Sequence, residues 1–180
     1  AVEAAAAMAE ANPDAAGFAA QSMADMPEEF MEANPDMMGA AATSMAEVAP
    51  EAAGQIAGGV AAGNPDMAAD IATEMVNANP DLMGDIASGV AQVAPGAAGD
   101  VTGALVDANP DGAAEMAANV AENVPGAAGI VAGAIAETDP NLAADAAGAM
   151  AEANPATAGL AATGMAAAAP EVATDVAGAM

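Results

Sequence analysis

The chain has 180 residues, 26 of them Asp or Glu and none Lys, Arg or His, for a formal charge of −26; Cys, Trp and Tyr are also absent. Catalysis that relies on His, or on a nucleophile beside a His or Lys base, is therefore excluded, as are disulfides and thiolate or imidazole metal sites. Phosphate recognition leans on Arg and Lys, so nucleic acid and anionic membrane surfaces are repelled, and no nucleic-acid partner or small-molecule substrate is expected.

Hydrophobic residues make up 56% of the chain, but much of this is Ala. The longest uncharged run, Ala153 to Ala169, is closed by Pro170 and interrupted by Pro155. Its only large apolar side chains are Leu160 and Met165, so it falls short of the roughly 20 apolar residues a membrane span needs.

The chain opens on Ala1, and no basic region of the kind that begins a secretory leader follows it. The expectation is a processed product or a fragment. Residues 1–33 form an irregular amino-terminal region. Pro13 opens a helical unit, the next prolines come at 27 and 35, and Asp25 to Ala33 reads as an insertion. The chain's two aromatic residues, Phe18 and Phe30, lie in this region.

From residue 34 to 180 the pattern is regular and forms one continuous array. Prolines fall at 35, 50, 65, 80, 95, 110, 125, 140, 155 and 170, a period of fifteen that marks a repeat architecture. With Asn34 as repeat position 1, each unit predicts one helix. In Asn64-Pro65-Asp66 and Asn79-Pro80-Asp81, Asn is suited to cap free amides, Pro to the first helical position, and Asp to the positive helix end. Proline pushes its preceding residue out of the helical region, so each helix should end near position 14 or 15. That leaves connections of two or three residues and antiparallel neighbours.

Position 12 is large and apolar in every regular unit: Met45, Val60, Met75, Val90, Leu105, Val120, Ile135, Met150, Met165 and Met180. Position 8 supplies Ile56, Ile71, Ile86, Val101, Met116, Val131 and Val176, and positions 5 and 9 are mostly Ala. Together these make the i, i+3, i+4, i+7 stripe of a buried helix face. Positions 6, 10 and 13 are nearly all Gly, Ala, Ser or Thr, as in Gly54 with Gly58, Gly99 with Gly103 and Gly129 with Gly133, giving a second face on which another helix can approach closely. Two packing faces per helix predict a stack in which each unit touches the previous and the next. Ordering fifteen residues costs more than one or two buried side chains return, so no repeat folds alone. A continuous right-handed coiled coil is set aside, because each internal proline would cost about 3 kcal/mol. The fold class is therefore all-α, an α-solenoid of short antiparallel helices with one helix per fifteen-residue repeat.

Carboxylates recur in pairs at positions 3 and 7, one helical turn apart: Asp66 with Asp70, Asp81 with Asp85, Asp111 with Glu115, and Glu171 with Asp175. The first of each pair complements the helix dipole and the second is solvated surface. Rows of such pairs are the candidates for weak, diffuse binding of Ca²⁺ or Mg²⁺; no other cofactor is expected. Asp107-Ala-Asn109-Pro-Asp111-Gly112 matches the opening of an EF-type calcium loop. The match fails because Ala118 stands where the loop needs a bidentate Glu, and Pro110 lies within it. Asp107 stays among the diffuse candidates. Stacked helices lie about 8–10 Å apart, near the ~8 Å screening length of physiological salt. Repulsion should therefore be tolerable in salt and damaging in dilute buffer. Carboxylate pairs as a glycosidase site lack an aromatic sugar platform, and the threonines do not keep one repeat position as an ice-binding lattice would require.

Acidity, the lack of trypsin sites and unfinished stack ends lead to the expectation of a non-enzymatic structural protein. It would be an extracellular or cell-surface helical-repeat segment that associates with itself end to end into a filament, sheath, adhesin or surface layer. The competing expectation is a soluble binding module for a basic protein partner or divalent cations.

Overall fold

Each proline restarts the helix that the residue before it has ended. In the computed structural model, which describes residues 2–27, 29–30, 34 and 36–179, the regular helices run to repeat position 15 wherever their ends are described. One extended residue then intervenes, such as Ala49 (φ −136°, ψ 70°) or Asn79 (φ −144°, ψ 96°). That residue still donates its N–H to the carbonyl of the position-12 residue, as Ala49 does to Met45 and Asn79 to Met75, so the break costs no backbone bond. The connections are thus tighter than the two or three residues the sequence suggests. The turn after most prolines is a 3₁₀ turn, for example Pro80–Leu82, before α-geometry sets in.

Twelve α-helices are found among the described residues: α1 (Val2–Ala11), α2 (Ala16–Ala24), α3 (Met37–Val48), α4 (Ala53–Gly63), α5 (Pro65–Ala78), α6 (Met83–Val93), α7 (Ala98–Ala108), α8 (Ala113–Asn123), α9 (Ala128–Thr138), α10 (Ala143–Ala153), α11 (Ala158–Ala168) and α12 (Ala173–Ala179). The fold is the all-α solenoid of short antiparallel helices. Asparagine capping is rarer than the motif implies. Asn79, Asp139 and Asn154 accept from the amides of Asp81, Asn141 and Ala156. Asn12, Asn64 and Asn109 make no such bond, and there proline's fixed φ sets the start.

The stacking differs from simple succession. Each helix packs most extensively on a helix two places away in the chain, so odd-numbered helices form one layer and even-numbered helices a second. The register is visible at the glycines. A Cβ on Gly54 would meet Asp85 and Gly89, one on Gly58 Gly89 and Val93, one on Gly129 Leu160, and one on Gly133 Gly164 and Ala168. Same-layer helices therefore run parallel, and the structural unit is a helix pair of two sequence repeats. Sequence neighbours meet mainly across the layers, where the apolar stripe is buried.

The spine lies between the layers. Met45, Val60, Met75, Val90, Leu105, Val120, Ile135, Met150 and Met165 are all buried, as are Ile56, Ile71, Ile86, Val101, Met116, Val131 and Val176; Met180 and Pro35 lie outside the described residues. Fully burying each such side chain stabilises the stack by about 1.5–3 kcal/mol. Among the described residues no buried side-chain polar atom lacks a partner, and no helix is long and apolar enough to cross a membrane.

Part of the expected insertion, Glu28, Met31, Glu32 and Ala33, is outside the described residues. Its effect on register is clear from what flanks it. A Cβ on Gly17 would meet Gln55, and one on Gly59 would meet Gly17 and Gln21, seven positions more than in the regular stack. The additional residues leave α2 in the same register on α4 that later helices keep.

Candidate functional site

The predicted carboxylates all sit on exposed helix faces: Asp66, Asp70, Asp81, Asp85, Asp107, Asp111, Glu115, Glu171 and Asp175. Asp66, Asp81, Asp111 and Glu171 occupy first turns, where negative charge faces the positive helix end. Only one subset converges. Asp81, Asp85 and Glu115 line a pocket of about 130 Å³ between α6 and α8, together with Asn109 and Asn119. The polar bonding there belongs to the protein itself. Ser88 Oγ donates to Asn119 Oδ1 at 2.6 Å, and Asn123 Nδ2 donates to the same oxygen at 3.0 Å, tying α6 to α8. No group of three or more carboxylates among the described residues is arranged to hold a metal ion.

The calcium-loop lookalike is not a loop. Asp107 ends helical within α7, Asn109 is the single extended residue, Pro110–Gly112 is a 3₁₀ turn, and Ala118 lies inside α8. Helix on both sides leaves nothing to wrap around an ion. Of the threonines, Thr102 and Thr157 are buried and thus unavailable to any surface lattice.

A larger concavity lies elsewhere. A groove of about 910 Å³ runs along the odd layer over α7, α9 and the second half of α11. Gly99, Gly103, Gly129, Gly133 and Ala134 contribute to its lining, Asp100, Asp107 and Glu137 supply its carboxylates, and the side chain of Ile130 stands at 47% exposure. Leu160, next along the layer, is 48% exposed.

The groove accompanies a difference at repeat position 11, which lies over positions 6 and 10 of the preceding same-layer helix. Glycine occupies it at Gly59, Gly89 and Gly164, and these belong to the three most extensively packed same-layer pairs, α2 with α4, α4 with α6, and α9 with α11. A Cβ on Gly89 would collide with the backbone of Gly54, and one on Gly164 with that of Gly129. In α9 the position holds Ala134. There a Cβ on Gly99 would find only Ile130 Cγ2 at 3.8 Å, and one on Gly103 only Thr138 Oγ1 at 3.1 Å. The glycines of α7 are left as bare floor.

Sequence reasoning singled out the Gly99 and Gly103 pair but not the groove above it. Position 7 carried a further signal: it is acidic in Asp70, Asp85, Asp100, Glu115, Asp145 and Asp175 but aliphatic at Ile130 and Leu160. Helix α11 has no charged residue at all. Comparison of the chain with protein-family models, curated proteins and solved structures finds no significant match.

Proposed function

We propose that the chain is a non-enzymatic structural segment that associates end to end through its helix stack, in an extracellular filament, sheath, adhesin or surface layer. The observation that carries this reading is the stack itself, in which each helix lies on one two places away and offers its neighbours the same pair of faces. Met8 falls at repeat position 12, where the regular units bury their spine residue, and at 52% exposure it is an apolar surface on which another copy can pack. In the odd layer α11 presents a surface without charge, which matters in a molecule of charge −26, while α12 beside it carries Asp175.

Acidity and the lack of Lys and Arg suit a salty, protease-rich exterior. The exposed carboxylate rows fit weak, diffuse screening by Ca²⁺ or Mg²⁺ in place of a coordinated ion.

Light scattering and electron microscopy of the purified chain, with and without millimolar Ca²⁺, test the reading. Concentration-dependent growth into linear assemblies is expected, and Met8→Asp should suppress it with helicity unchanged. A protein that stays monomeric throughout contradicts it.

A further inference from the structure

We propose that the peptide bond between Asp139 and Pro140 is a self-cleavage site, at which the carboxyl group of Asp139 cuts its own chain in mild acid. Asp139 is the one acidic residue that precedes any of the 12 prolines; the others follow Asn, Ala, Val or Met. An Asp side-chain oxygen can close a five-membered ring on its own peptide carbonyl carbon, whereas Asn offers only a weak amide nucleophile and Ala, Val and Met offer none at that distance. The leaving group is favourable as well. The proline nitrogen has no N–H, so it departs as a secondary amine and cannot divert the reaction by attacking the Asp side chain.

The turn between α9 and α10 holds the reacting groups in place. Leu142 N–H donates at 3.1 Å to the carbonyl oxygen of Asp139, where negative charge develops when the carbon is attacked. Asn141 donates twice to Asp139 Oδ1, from its backbone N–H at 3.0 Å and from Nδ2 at 2.9 Å, which fixes the carboxyl group beside the bond. Oδ2 accepts no bond among the described residues and is the attacking atom. As it bonds to the carbonyl carbon, the C–N bond to Pro140 breaks, and the nitrogen takes the electron pair and a proton. The cyclic anhydride left on Asp139 adds one water and opens to two carboxyl groups. Glu137 of α9, and Asp145 and Glu152 of α10, are the titratable groups on the helices packed against this turn, and all are exposed. Pro140 is exposed too, so the proton and the water come from solvent.

Acid does not have to unfold the chain first. With no cationic side chain, protonation takes the charge of −26 toward zero and relieves repulsion. The cut separates α9 from α10, but α11 lies on α9 and α10 on α8, so the released piece stays docked in the stack.

Incubation at pH 3 and 37 °C, with mass spectrometry under denaturing conditions and helicity followed by circular dichroism, tests the assignment. The expected products are residues 1–139 and 140–180, together one water heavier than the chain, while the Asn–Pro bonds at Asn64, Asn79, Asn109 and Asn154 stay intact as internal controls. Asp139→Asn installs the residue common at this position, so it should keep the fold and abolish the cut. Asp139→Glu must close a larger ring and should slow it at least tenfold. Asn141→Ala should slow the folded chain roughly fivefold and leave the rate in 8 M urea unchanged, a split that an unassisted Asp–Pro reaction would not show. The assignment is overturned if no fragments form, or if Asp139→Asn or Asp139→Glu is cut as fast as the wild type. It is equally overturned if folded Asn141→Ala is cut as fast as, or faster than, the folded wild type.

Discussion

Helices α4 and α7 carry the same glycine spacing, Gly54 with Gly58 and Gly99 with Gly103, and meet their same-layer partners in opposite ways. On α4 the facing residue is Gly89, and the two backbones close until no side chain fits between them. On α7 the facing residue is Ala134, flanked by Ile130 and Thr138, and a groove opens. The side chains of the partner go with the outcome: Gly89 admits contact between backbones, whereas Ala134 with Ile130 and Thr138 stands over an open groove. Small residues spaced along one helix therefore permit close approach, and the facing helix determines whether it happens.

The largest expected effect is at the tight pair. Gly89→Ala places a Cβ into the Gly54 backbone and should cost about 3 kcal/mol, the upper part of the range for overpacking, seen as a lower urea midpoint with unchanged slope. Salt comes next. With 26 carboxylates and no cationic side chain, transfer from 10 mM to 500 mM NaCl should raise the melting temperature by roughly 5 °C or more. Equal melting points in both would remove repulsion from the account. At the open pair the sign reverses: Gly99→Ala should stabilise the chain by about 0.5–1 kcal/mol, because the space is free and alanine favours the helix. The smallest change in stability is expected for Ala134→Gly, where lost helix propensity is offset by closer packing. Its readout is a narrower α7–α9 spacing, measured between spin labels on the two helices, and unchanged spacing would show that residue 134 does not hold them apart.

The helices and their burial were legible because they are local. Proline at fixed spacing sets the boundaries, and the apolar residues at positions 8 and 12 name the buried face before any partner is known. The order of stacking was not legible. A face of small residues on Gly54 or Gly129 states that a neighbour comes close, not that it lies two helices away, since that depends on how single-residue connections such as Ala49 and Asn64 send the chain between layers. The carboxylate pairs were read correctly as exposed first-turn and surface groups, but the groove bordered by Asp100, Asp107 and Glu137 depends on the facing helix, where Ala134 stands, a residue whose side chain looks neutral in isolation. The exposure of Ile130 was foreshadowed only by its break with the acidic habit of position 7.

The central claim is that the chain stacks in two layers, each helix lying along the one two places on. The chain has no native Cys, so an introduced pair reads this directly. Gly103→Cys with Thr138→Cys, whose native residues face each other between α7 and α9, should cross-link rapidly under mild oxidation. Gly103→Cys with Ala118→Cys on the sequence-adjacent α8 should stay reduced. The reverse result, with the adjacent pair cross-linking and the skipped pair inert, would contradict the two-layer solenoid.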